Sequence, residues 1–130
     1  MPPTLFLIFN HRFTAAQEAA ARDSLGVSRI ALPPPDLQKL WSQVPPDIPA
    51  LAAYLQPLQL WLAAQARPGD FVLIQGDFGA TYLLVRAAFA LGLIPVYATT
   101  RRQVAEDHLP DGTVKMTRYF QHQIFRRYSE

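Results

Sequence analysis

Four short apolar runs constrain the fold of this chain: Thr4–Phe9 (TLFLIF), Ser28–Leu32 (SRIAL), Phe71–Gln75 (FVLIQ) and Leu93–Ala98 (LIPVYA). Each is short and mostly apolar, and turn-forming residues bound them, so they read as buried strands. Helical signals fill the gaps. Thr14 can cap a helix over Ala15 to Ser24, with Glu18 in its early turns and Gly26 closing it. Asp36 is expected to cap a short helix with Leu37, Leu40 and Trp41 on one face. A longer helix runs from about Pro49 to Ala66, with Leu51, Leu55, Leu58 and Leu62 at helical spacing. Pro57 lies inside it and is expected to kink or split it. Phe78 to Leu91 forms an apolar helix that ends at Gly92.

The order β-α-β-α-α-β-α-β predicts an α/β fold with a mostly parallel sheet and helices on both faces. Pro95 argues mildly against a central position for the last of the four strands. The final thirty residues differ. Gln103 to His108 suits a strand or a short helix, and Asp111-Gly112 is a hairpin turn signal. Thr113 to Phe120 and His122 to Tyr128 alternate weakly, which predicts an antiparallel C-terminal hairpin added to the sheet.

A length of 130 residues fits one domain over residues 1–130. Half the residues are hydrophobic, which argues against disorder. No apolar run approaches the ~20 residues needed to span a bilayer. Met1-Pro2-Pro3-Thr4 lacks a basic leader, so a cytoplasmic protein is expected. The absence of cysteine excludes disulfides, thiol nucleophiles and Cys-type zinc sites. The net charge is only +2, but Lys occurs only at positions 39 and 115. A guanidinium fork suits phosphate; a GC-rich genome gives the same Arg bias.

Ligands of open α/β sheets bind beyond the carboxyl ends of the strands, where strand order switches. Three segments meet that description: Asn10-His11, Gln75-Gly76-Asp77-Phe78-Gly79-Ala80-Thr81, and Thr99-Thr100-Arg101-Arg102. Gly76 and Gly79 allow a backbone to approach an oxyanion at a helix start, and Thr81 adds a hydroxyl. The same glycines also suit an ordinary tight strand-to-helix turn. The segment is neither a Walker A loop nor a GxGxxG fingerprint. Asp77 can cap the helix, bind a metal or orient a ribose hydroxyl. Arg101 and Arg102 can neutralise a phosphate. His11 and His122 are candidate acids or bases, with His11 better placed at a strand end and His122 as readily structural. Three scattered histidines make a poor metal site, so none is expected. Lys115, Arg118, Arg126 and Arg127 are interleaved with aromatics, a pattern that suits RNA, sheet core or a dimer seam.

Phe9-Asn10-His11, the Gln75 to Thr81 turn, the Tyr97 to Arg102 exit, Thr117 to His122 and Phe125 to Tyr128 together resemble a small stand-alone CRISPR-associated family of the Csx series. The resemblance spans most of the chain. It implies a Rossmann-like sheet akin to the CRISPR-associated Rossmann (CARF) domain, and a type III accessory protein. The implied ligand is a cyclic oligoadenylate, and the implied activity is a ring nuclease without cofactor: a ribose 2′-hydroxyl attacks the adjacent phosphorus and leaves a 2′,3′-cyclic phosphate. On that basis His11, Thr100 and Arg101 are the expected catalytic residues. Asn10, Gln75, Gly76, Asp77, Gly79, Thr81, Thr99, Arg102 and Arg118 are expected to bind the ligand. A homodimer suits a two-fold ring. The alternatives are a sensor or sponge that holds the ring intact, and an RNA-binding accessory protein.

Overall fold

The computed structural model describes residues 2–130. Its strands are β1 (Thr4–Phe9), β2 (Arg29–Ala31), β3 (Phe71–Gln75), β4 (Ile94–His108) and β5 (Val114–Arg127). They form one five-stranded sheet in the order β2-β1-β3-β4-β5. The β1–β2, β1–β3 and β3–β4 pairs are parallel, and β4–β5 is antiparallel. The fold is therefore α/β, with a mixed but mostly parallel sheet and a terminal hairpin.

β1 and β3 are buried on both sides, which explains their continuous apolar runs. Phe6, Ile8, Val72 and Ile74 pack under α2 (Pro35–Ser42), α3 (Ala52–Gln65) and α4 (Phe78–Ala90). Leu5, Leu7, Leu73 and Val96 pack on the other face, where α1 (Ala15–Ala20) runs into a π-helical turn at Ala21–Leu25 and contributes Ala21. Thr14 and Gln17 form a reciprocal capping box at the start of α1. Gly26 closes this segment at φ 69°. Asp70 ties the turn before β3 to the start of β1: one carboxylate oxygen accepts from Thr4 N–H at 3.0 Å, the other from Arg67 N–H at 2.9 Å.

Five local expectations are corrected. Asp36 lies in the first turn of α2, whose cap is Pro34 with no side-chain bond. Pro57 does not split α3, which continues through it from Ala52 to Gln65. Pro95 sits in an interior strand, paired with Val72; its carbonyl accepts from Tyr128 N–H at 3.0 Å. β4 does not stop at Ala98 but runs to His108, and β5 is one strand rather than two. Beyond Ala98 the hairpin leaves the sheet, because β4 pairs with β3 only from Ile94 to Val96.

Candidate functional site

The first crossover carries the chain from β1 to β2, and the later ones carry it to β3 and β4 on the other side of β1. Strand order thus reverses between β1 and β3, and their carboxyl ends diverge into a crevice. A cavity of about 850 Å³ lies there, bordered by Phe9, His11, Gln75, Thr100, Phe120 and His122. The crevice brings together residues from the exits of β1 and β3, the bulged stretch of β4 and the returning β5.

Gln75 is held in place from two sides. Its Oε1 accepts from Ala98 N–H at 2.9 Å, and its carbonyl accepts from Trp41 Nε1 at 3.0 Å. The first bond fixes the amide orientation and leaves the Nε2 donors without an intramolecular partner among the described residues. His11 is exposed and meets Phe9 edge-to-face at 5.4 Å. His122 stands opposite Thr100 in the β4–β5 register and lies 4.7 Å from Phe125. Both of its ring nitrogens are shielded and have no hydrogen-bond partner among the described residues. Burial holds its pKa below the ordinary imidazole value, so the ring favours the neutral form. A shielded imidazole without a partner in this crevice is a ready acceptor or donor for a ligand.

The β-bulge between Ala98 and Thr100 aims these groups. Thr99 Oγ1 accepts from Ile124 N–H at 3.1 Å and donates to its carbonyl at 3.2 Å, so this hydroxyl is engaged in the bulge. Arg101 is not beside Thr100. Successive residues of a strand alternate faces, which puts Arg101 on the opposite side of the ribbon and Arg102 on the same side. Arg118, opposite Val104, is further out on the hairpin. Asn10 is exposed and does not border the cavity.

The Gly-rich turn is mostly accounted for by packing. A Cβ on Gly76 would lie 2.8 Å from Trp41 Nε1, so glycine there makes room for the indole that binds the Gln75 carbonyl. Asp77 caps α4, accepting from Ala80 N–H at 2.9 Å. Gly79 lies in the first turn of that helix. Thr81 faces a separate groove of about 620 Å³ with Phe78, Tyr82 and Tyr128. Of the seven turn residues, only Gln75 reaches the crevice.

Arg12 borders the cavity and was not anticipated from the sequence. Its signal was a basic residue directly after Asn10-His11 at a strand exit. It forms no ion pair among the described residues. No group of three or more metal-ligating side chains occurs among the described residues, and no helix there is long and apolar enough to cross a membrane.

A family model described as the uncharacterized protein MJ1673 family matches residues 3–126, a span that includes the whole crevice and nearly all of the hairpin. The uncharacterized protein MJ1673 of Methanocaldococcus jannaschii is 45% identical over 127 residues, covering 98% of each chain. No solved structure matches the chain.

Proposed function

The chain belongs to the uncharacterized protein MJ1673 family, and we propose that it is a type III CRISPR accessory protein that binds a cyclic oligoadenylate and cleaves it. The finer fold assignment in this proposal is Rossmann-like and CARF-like. The observation that carries the proposal is the crevice at the strand-order switch, where His122, shielded and unpartnered among the described residues, stands opposite Thr100 and shares the lining with His11, Gln75 and Arg12. Its volume falls within the ~300–1,000 Å³ typical of small-ligand sites. A cyclic oligonucleotide is larger than one nucleotide site, so a two-fold pair of chains sharing the ring is part of the proposal.

The residues have distinct tasks in this scheme. Arg12 and Thr100 meet phosphate oxygens, and the free Nε2 donors of Gln75 meet a phosphate or a base edge. Phe9 and Phe120 offer apolar surface to adenine. A ribose 2′-oxygen attacks the adjacent phosphorus while the P–O5′ bond breaks. The 2′-hydroxyl proton passes to His11, the departing 5′-oxygen takes a proton from water, and the hydroxide left behind recovers the proton held on His11. The product has a 2′,3′-cyclic phosphate and a 5′-hydroxyl. Placement and charge stabilisation supply the rate. Arg101, on the far face of the ribbon, and Arg102, which does not border the crevice, leave the guanidinium role to Arg12.

The test is incubation with cyclic tri-, tetra- and hexa-adenylate in EDTA, with products separated by chromatography. Linear products ending in 2′,3′-cyclic phosphate are expected. Stoichiometric binding of an intact ring would replace the nuclease with a sponge. No binding to any ring, with salt-sensitive binding of single-stranded RNA, would favour the RNA-binding alternative, which the aromatic and basic residues of β5 suit.

A further inference from the structure

The hairpin arm has a surface that does not suit exposure to water. From Thr100 to His108, β4 has no neighbour except β5, and a two-stranded ribbon standing alone is marginal in water. Strand alternation and the β4–β5 register sort its side chains onto two faces. One face carries Val104, Val114, Met116 and Phe120, which are 51%, 49%, 55% and 73% exposed. The other carries Gln103, Ala105, Asp107, Lys115, Thr117 and Tyr119, of which only Tyr119 is a large exposed hydrophobic. On the apolar face charge changes along the length: Arg102 lies near the base, Arg118 at mid-length and Glu106 toward the tip, where Asp111 adds a further acid. Neither arginine is ion-paired among the described residues, and Glu106 has the His108 Nε2 at 3.9 Å.

Such a ribbon is complementary to itself when reversed. We propose that two copies of this chain join by laying these apolar faces together antiparallel, with the tip of each arm at the base of the other. A two-fold axis turns the lengthwise charge change into two equal attractions. The register that brings Arg118 level with the partner's Glu106 also brings Phe120 level with the partner's Val114 and Val104 level with the partner's Met116. At ~3.4 Å per residue the arm is about 27 Å long, enough for a whole face to be covered. Phe120 borders the crevice, so the partner's Val114 and His108 reach its rim, and each cavity is completed by the other chain. This inference stands on the arm and sharpens the proposed two-fold pairing. It does not require that the ring be cut.

Sedimentation of the full chain without nucleotide, across a wide concentration range, tests it. Every substituted residue is exposed, so the fold is expected to survive, and circular dichroism checks that it does. Wild type is expected to dimerise. Val104→Asp and Glu106→Arg are each expected to weaken the dimer by about tenfold or more. Glu106→Arg combined with Arg118→Glu is expected to regain most of that loss. A monomer at every concentration would overturn the proposal, as would a dimer indifferent to all three variants. Binding of single-stranded RNA by a monomer, abolished by Arg118→Glu, would assign this face to RNA and also overturn it. Ring cleavage, assayed separately on wild type, distinguishes the two proposals. A dimer that leaves rings intact keeps the arm pairing and removes the nuclease, and a monomer that cuts them does the reverse.

Discussion

Within β1, Leu5 to Ile8 are all buried, whereas no residue from Arg101 to Gln121 on the arm is. Both segments are strands of one sheet, yet different forces hold them. The body derives its stability from burying both faces of β1 and β3 between helices. The arm has only its own ladder and cross-strand pairs, each worth a fraction of a kcal/mol. The crevice lies at the boundary between the two, with Phe9 and Gln75 anchored in the body and Phe120 and His122 on the returning strand. A site built this way has one rigid wall and one adjustable wall, and local opening is expected to begin on the arm side.

The largest expected effect separates the regions directly. Phe6→Ala, in the body, is expected to destabilise by about 3–5 kcal/mol in urea titration. Phe120→Ala, on the arm, should stay within about 0.5 kcal/mol in the monomer. Equal losses would mean that the arm is packed like the body. Next comes Gly76→Ala, which sets a methyl against Trp41 and should cost about 1–3 kcal/mol while shifting Trp fluorescence. Unchanged stability with weakened ligand binding would instead return Gly76 to the phosphate role. Asp77→Ala removes the α4 cap and should cost about 1 kcal/mol by thermal denaturation.

The smallest effect concerns His122. Its folded-state pKa lies below the ordinary imidazole value, so the unfolded chain binds the proton more readily. Its contribution to stability is therefore full above the ordinary imidazole pKa and declines as pH falls below it. The ring is partly solvated, so the slope should be shallow. His122→Gln should flatten it in melting curves taken between neutral and mildly acidic pH, and an identical slope would show that the imidazole is not shielded.

The order of strands and helices was legible in the sequence because apolar periodicity reflects burial on two faces. Thr4–Phe9 and Phe71–Gln75 are observed with the expected boundaries. The polar exits of β1 and β3 were legible too, because topology sends both to the same end of the sheet, whereas Thr99 to Arg102 lie within β4 rather than after it. The length of β4 was not, since a ribbon exposed on both sides leaves only a weak alternation. The expectation that the Gly-rich turn forms the heart of the site followed from the freedom of glycine. Its use depends on Trp41, 35 positions earlier, which no local pattern reveals.

The sequence by itself determined that this is an α/β chain without cysteine chemistry, with polar groups gathered at its strand ends. The tertiary structure decided which of those groups meet. Strand alternation moved Arg101 away from Thr100, the bulge engaged the hydroxyl of Thr99, and the β4–β5 register set His122 opposite Thr100. A contact between residues far apart in the chain depends on register and face, and a shift of one residue reverses the face.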